Sequence, residues 1–366
     1  GGYAASLDAD TAGGEGAYYA WSHEEIAEAL GTSGVETFQS VFDLPEGGNF
    51  EGKIHLHRLK GFGWTADEEA TFRAQLDTLA ATRAARDAPA RDDKVMGDWN
   101  GLVIQGLCCA GDAFNEPSWI RLAEEAFADV IGLLASEDGM LHLGKEGRTA
   151  VPAFAEDYAN LAQAALSLYK VTFDPIYLDR AVSLVEELEA VCGDPASGGF
   201  FQSSTRAGAL LVRPLNALET ATPNANGTMI GVYGTLFSII GEPAYLDKQN
   251  RLIAAFGASL ERNAFSMATY VMEVARAQAG VVLYLEGTKD AMANARAALK
   301  TLPLPVRLEI IPVPTRDRLS ATHPLKDTNA NDPSGISLHF CQQGRCSLPF
   351  HDTAQAPDAL KTFLSV

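Results

Sequence analysis

The sequence predicts a mainly α protein: an α/α toroid of helical hairpins, complete or incomplete, carrying a small C-terminal α/β appendage. Three observations lead there. A short motif of acid, Pro, any residue, aromatic, aliphatic recurs in EPSWIRL (116–122), DPIYLDRA (174–181) and EPAYLDK (242–248). Between the copies lie segments apolar on nearly every side. After residue 280 the pattern changes to alternating strand and helix signals.

In each repeat Pro117, Pro175 or Pro243 stands where a helix begins. Its fixed φ suits the first turn, and its missing N–H costs nothing there. The helices that follow, such as LAEEAFADVIGLLAS and AVSLVEELEAV, keep a charged face. The intervening segments do not: WNGLVIQGLCCAGDAF (99–114), EDYANLAQAALSLYKVTF (156–173) and NGTMIGVYGTLFSIIG (226–241). A helix without a polar face is buried all round. Buried and half-exposed helices therefore alternate in antiparallel hairpins, as an inner and an outer ring. Further helices are expected at 22–30, with Ser22 and Glu25 spaced as a capping box, at 65–87 and at 266–279. That makes nine, against twelve in a closed ring of six hairpins. The glycine- and aromatic-containing segments 139–145 and 197–214 read as β-ribbons across one rim. Strand 281–287, helix 290–302 and strand 306–314 read as a β-α-β unit. A polar loop at 315–335, a segment at 336–350 and a helix at 358–364 complete the appendage. The domain division expected is 1–280 and 281–366.

Composition narrows the function. The 366 residues carry a formal net charge of −19, with 47% hydrophobic and 20% charged residues. Such a field repels phosphate backbones and excludes nucleic acid as a partner. It suits a neutral small-molecule substrate. No run of 18 apolar residues marks a membrane span, and no basic-then-apolar leader is visible, so the reading is cytoplasmic without a membrane partner. Oligomeric state is left open. The five cysteines are odd in number and sparse, which argues against a secreted disulfide framework. Cys108, Cys109 and Cys192 read as core thiols. Cys341 and Cys346 are spaced more loosely than a C-x-x-C redox pair.

The N-termini of the inner helices converge at one mouth of such a toroid. The first carries Asp93, Lys94, Trp99 and Asn100, with Asp98 as a natural N-cap. The second carries Glu156, Asp157 and Tyr158. The third carries Arg213, Glu219, Asn224 and Asn226. Carboxylates that converge suit general acid/base hydrolysis, so Asp93, Asp157 and Glu219 are the catalytic candidates. Trp99 and Tyr158 are expected to stack on substrate. Lys94, Asn100, Arg213, Asn224 and Asn226 are expected to orient it. None of the seven histidines stands at an inner-helix start, so two-histidine epimerisation is not expected. Asp8, Asp10 and Glu15 among glycines meet part of the calcium-loop pattern. They leave three readings open: a calcium site, pocket lining, or a solvated turn.

Several segments occur together in order: SLDADTAGGEGAYYAWSHEEI (6–26), GNFEGK (48–53), RAARDAPARDDKVMGDWNGL (83–102), FAEDYANL (154–161), GGFF (198–201), VRP (212–214) and ATPNANG (221–227). The chain thereby resembles the C-terminal two-thirds of the spermatogenesis-associated protein 20 family, which are thioredoxin-domain-containing proteins. The resemblance implies a toroid of six-hairpin glycosidase type, distantly like the N-acylglucosamine 2-epimerase group. In the family a thioredoxin-like domain and the first barrel helices precede LDAD. The family's Pro-Ser-Gly-Asn-Ser turn is here Pro223-Asn224-Ala225-Asn226-Gly227. Function then reads as a small-molecule hydrolase acting on a neutral or carbohydrate-like substrate. The alternatives are an ester or lactone hydrolase assisted by a divalent cation such as calcium, and a non-catalytic ligand- or protein-binding fragment.

Overall fold

The computed structural model describes residues 2–58, 63–145, 151–302, 308–327, 335–342 and 345–365. The chain divides into two compact units: Ala4–Asp93, and Gly1–Tyr3 together with Lys94–Val366.

The smaller unit holds β1 (Ser6–Leu7), β2 (Asp10–Thr11), β3 (Gly14–Glu15), α1 (His23–Phe38), α2 (Ala66–Ala84) and β4 (Arg91–Asp92). β1 pairs antiparallel with β4, and β2 with β3. Both helices open on capping boxes, Ser22 with Glu25 and Thr65 with Glu68. Trp21, Ile26, Phe38, Phe72 and Leu79 form its core. Arg86, just past α2, fastens the aromatic opening segment to that core. Its Nη1 donates to the carbonyls of Ala17, Tyr18 and Ala20 at 3.2, 2.9 and 2.7 Å. Its Nη2 donates to Glu25 at 3.0 Å, and the guanidinium lies 4.2 Å over the Trp21 ring.

The larger unit begins with β5 (Val95–Met96), α3 (Gly97–Ala113), α4 (Pro117–Leu134), β6 (Leu143–Gly144), α5 (Ala155–Thr172) and α6 (Pro175–Cys192). It continues with α7 (Ala225–Ile240), α8 (Pro243–Asn263) and α9 (Ala268–Ala279). The three prolines stand at the starts of α4, α6 and α8, as their fixed φ requires. The acids before two of them cap: Glu116 accepts from Ser118 N and Asp174 from Ile176 N. α3, α5, α7 and α9 pack side by side in chain order, with α4, α6 and α8 each folded back on the helix before it. This is the inner-and-outer arrangement of a glycosidase-like α/α toroid. Gly101 allows the closest approach of the first inner pair, since a Cβ there would lie 2.7 Å from the Asn160 carbonyl carbon.

The rest of the chain forms β7 (Val281–Gly287), α10 (Lys289–Leu299), β8 (Leu308–Pro312), β9 (Ile336–Gln342), β10 (Arg345–Cys346) and α11 (Ala356–Leu364). The sheet order is β10-β9-β7-β8. β7 and β8 run parallel as the β-α-β pattern requires, and β9 runs antiparallel to β7. Residues 306–307 of the expected strand, 328–334 of the polar loop and 343–344 lie outside the described residues.

Four readings change. The expected boundary at 280/281 is replaced by one at Asp93/Lys94, because polar ties bind the sheet to the inner helices. Tyr169 donates to the Pro312 carbonyl at 3.0 Å, Tyr284 to that of Ser238 at 2.8 Å, and Lys170 to Glu309 at 2.9 Å. Segment 197–214 is not a ribbon. It is irregular apart from a 3₁₀ turn at Thr205–Ala207 and two isolated bridges, Phe200 with Gly193 and Ser203 with Phe154. Cys341 and Cys346 are disulfide-bonded, since the β9–β10 register sets them opposite each other. Of the three expected core thiols Cys109 is exposed, on the open side of α3. Among the described residues no helix is long and apolar enough to cross a membrane.

Gly101→Ala is expected to destabilise the protein by about 1–3 kcal/mol, because the new methyl meets backbone that cannot move aside cheaply. Chemical denaturation measures this, and a change under about 0.5 kcal/mol would count against the close approach. Arg86→Ala, which removes four charge-assisted hydrogen bonds, is expected to cost about 2–3 kcal/mol and to speed proteolysis within residues 4–20.

Candidate active site

Asp157 is the hub of a site at the starts of α3, α5 and α7. It stands in the first turn of α5 and is fully buried. Its Oδ2 accepts from the Phe154 amide at 2.7 Å, and its Oδ1 accepts from the Asp98 amide at 2.8 Å. The first bond closes its own helix start. The second reaches the start of α3. The third partner comes from the rim: His142 Nδ1 stands 2.9 and 3.0 Å from the two carboxylate oxygens. A carboxylate only accepts, so Nδ1 is the protonated nitrogen and Nε2 is left for exchange.

His142 is delivered by the pairing of β5 with β6, two-residue strands that immediately precede α3 and follow the histidine. Its carbonyl accepts from Gly97 N at 2.9 Å, and its amide donates to the Val151 carbonyl at 2.8 Å. The Phe154 ring meets the imidazole edge-on at 4.9 Å. Burial works against protonation of His142, but the hydrogen bond and charge of Asp157 win, and its pKa lies above the usual value.

Two more carboxyls face the same space. Asp98 is buried and accepts from its neighbour's amide, Trp99 N, at 2.8 Å. Its carboxyl is pushed upward by burial first and by the charge of Asp157 second. Glu156, next to Asp157 but half-buried, is pushed up to about 7, chiefly by burial. Its own backbone amide and that of Ala225 at the start of α7 oppose this, while the charges of Asp157 and Asp98 raise it further. These groups line a cavity of about 280 Å³. Its other wall is polar and uncharged: Gln202, Asn216, Thr220, Thr222 and Asn224.

Asp98, His142 and Asp157 are the group of three among the described residues whose ligand atoms lie within 4.8 Å of one another. They could offer a divalent ion one atom each. Asp157, however, already takes N–H donors from Asp98, Phe154 and His142, so an ion would have to displace the imidazole proton.

The structure brings together three of the sequence-derived site residues: Asp157, Asn224 and Asn226 line the cavity. Asn224 caps α7 through Asn226 N at 2.9 Å. Both ends of the buried Asn226 amide are engaged, with Phe200 N at 2.8 Å and with the carbonyls of Phe200 and Asn216 at 3.0 and 2.9 Å. The remaining candidates have other work. Asp93 belongs to the smaller unit, is exposed and pairs with Arg91 at 2.5 Å. Glu219 accepts from Thr269 N at 2.8 Å and so caps α9. Tyr158 is buried and cannot stack on a ligand; its hydroxyl donates to Glu187 at 3.0 Å. Asn100 is buried and binds Tyr3 and the Met96 carbonyl. Arg213 binds the carbonyls of Ser203 and Val191 and covers Phe201. Trp99 is 41% exposed, and neither it nor Lys94 lines the cavity. Asp8, Asp10 and Glu15 are exposed about the β2–β3 hairpin, where Asp8 accepts from Asp10 N at 3.1 Å. They do not enter the three-ligand group.

Sequence reasoning missed His142 as a site residue, because its approach depends on the β5–β6 pairing. It also took Asp98 for an N-cap. The helix starts at Gly97 with Met96 as cap, which turns Asp98 inward.

No protein-family model matches the chain. An uncharacterised protein of Caenorhabditis elegans is 27% identical over 95% of this chain and 53% of its own length. The mouse and human proteins named spermatogenesis-associated protein 20 are each 25% identical over 68% of this chain and 36% of their own. The chain thus spans about half or less of the curated relatives it matches. Similar solved structures include a glycoside hydrolase family 76 α-mannanase of Bacteroides thetaiotaomicron, with 14% identity and a TM-score of 0.45 over 63% of this chain and 68% of that one. Another is cellobiose 2-epimerase of Spirochaeta thermophila, with 19% identity and a TM-score of 0.37 over 44% and 43%. The resemblance read from the sequence holds: over 68% of its length this chain is similar to spermatogenesis-associated protein 20.

Proposed function

We propose that the chain is a general acid/base hydrolase of a small, neutral, polyhydroxylated substrate. One observation carries the reading: Glu156, with a carboxyl titrating at about 7, opens onto a polar cavity beside Asp98 and the Asp157–His142 pair. An acid that keeps its proton near neutrality can deliver it to a leaving oxygen. Asp98, ionised, takes a proton from the water whose oxygen forms the new bond to carbon as the old carbon–oxygen bond breaks. Asp157 does not touch substrate in this scheme. It positions His142, whose Nε2 can bind a substrate hydroxyl. The amides and hydroxyls of Gln202, Asn216 and Thr220 suit further hydroxyls, and the cavity lining holds no Lys or Arg to recruit an anion.

The exposed acids of the β2–β3 hairpin give no support to cation-assisted ester hydrolysis. Two-histidine epimerisation needs a second imidazole, and His142 is the histidine among the described lining residues.

Turnover is to be screened on aryl glycosides and short oligosaccharides, with products identified by mass. Glu156→Gln is expected to lower kcat about a hundredfold or more, whereas Asp93→Asn and Glu219→Gln retain it. The reverse pattern would overturn the assignment. Because Glu156 is raised and acts protonated while Asp98 acts ionised, kcat is expected to fall as pH rises through about 7 and to fall again on the acid side as Asp98 takes up its proton. A rate that climbs through the same range would sink the role of Glu156 as acid. Asp157→Asn points an amide N–H at existing donors. It is expected to destabilise the fold by about 3 kcal/mol and to move the His142 imidazole pKa downward in an NMR titration.

A further inference from the structure

A second and larger cavity, of about 620 Å³, lies elsewhere in the larger unit. It is walled by the C-terminal halves of α3 and α5, by α9 and by the appendage through α10 and β8. None of its lining belongs to the acid/base site. Its volume is that of a small-molecule pocket.

The chemistry of its walls is of two kinds. Val171, Val271, Met272, Leu308 and Ile310 make an apolar side. Val271 and Met272, two adjacent large apolar residues of α9, are left 39% and 59% exposed. The other side is cationic. Lys170, Arg276 and Arg296 face the cavity against two carboxylates, Glu309 and Asp112. Glu309 accepts from both Lys170 and Arg276, at 2.9 and 2.6 Å. Asp112 is held bidentately by Arg296 at 2.9 and 3.0 Å, and its Oδ1 also meets Lys300 at 2.7 Å. Each carboxylate is thus shared by two cations, and both cation pairs keep N–H donors beyond those their carboxylates use. Arg276 spends its two terminal nitrogens on Glu309 and Glu273, which leaves Nε. Lys170 spends one of three ammonium hydrogens on Glu309. With Lys300 and Glu273 counted, four cations stand against three carboxylates, an excess of one positive charge beneath an apolar wall in a chain of formal net charge −19.

We propose that this cavity is a second binding site, separate from the acid/base site, for a small amphipathic anion. The ligand's carboxylate or comparable anionic head meets Lys170 and Arg276, and its hydrocarbon part lies along Val171, Val271, Met272 and Leu308. Arg and Lys supply the charge-assisted hydrogen bonds such a head needs. The wall covers the apolar surface that the tail would otherwise expose to water.

The test is isothermal titration of the full chain with decanoate below its micelle concentration, with decanol and decyltrimethylammonium as neutral and cationic counterparts. Decanoate is expected to bind saturably at about one per chain and at least tenfold more tightly than either counterpart. Met272→Glu adds a like charge at an exposed position without disturbing the core. It is expected to weaken decanoate at least tenfold while leaving turnover and the thermal midpoint unchanged. Glu156→Gln is expected to leave decanoate binding as it was. No saturable binding up to 1 mM (roughly 4 kcal/mol of affinity), equal binding of decanol, or indifference to Met272→Glu each overturns the proposal. Weakening by Glu156→Gln would place decanoate in the acid/base site and overturn it equally.

Discussion

The buried carboxylate of Asp157 is the interaction on which the catalytic end of the molecule depends. A fully buried anion is costly unless its oxygens are hydrogen-bonded. Here the amides of Phe154 and Asp98 and the imidazole of His142 satisfy it. Each comes from a different part of the chain: the start of α5, the start of α3 and the rim after α4. One side chain therefore sets the spacing of two inner helices and the orientation of the only imidazole among the described cavity residues. Gly97 and Gly101 are the steric side of the same contact. A side chain at either would strike Asp157 or the Asn160 backbone.

That arrangement gives neighbouring carboxyls different characters. Asp157 is held by donors and is enclosed. Glu156, one residue before it, is half-buried, and burial outweighs the two amides that oppose it, its own and that of Ala225, so its proton is retained to near neutrality. Two adjacent acids at one helix start thus divide into a positioning group and an acid. The difference lies in environment, as carboxylate pairs at catalytic centres commonly require.

Much of the rest is stabilised by backbone carbonyls tied to side chains. Arg86, Arg213, Asn100 and Asn226 each hold two or more main-chain groups of irregular segments. Irregular segments do not form ladders, so side chains complete their hydrogen bonding. This is why residues that look like ligand contacts in sequence serve as struts. The amide and guanidinium groups that suit a hydroxylated ligand suit a carbonyl equally well.

The sequence by itself determined the helices and their alternation. Pro117, Pro175 and Pro243 stand at the starts of α4, α6 and α8, and 156–173 and 226–241, apolar on nearly every side, are inner helices, because proline geometry and burial periodicity are local or short-range. It also located the helix starts where acids and amides gather, and so it found Asp157, Asn224 and Asn226. Only the tertiary structure decided which polar groups face the cavity. Asp93 and Asp98 stand five residues apart in one acidic stretch, yet one pairs with Arg91 in the smaller unit and the other lines the site. His142 joins it through a distant pairing of two-residue strands, Val95 with Gly144 and Met96 with Leu143. So short a pairing carries almost no sequence signal, since its register is fixed by the carboxylate and the packed helices on either side.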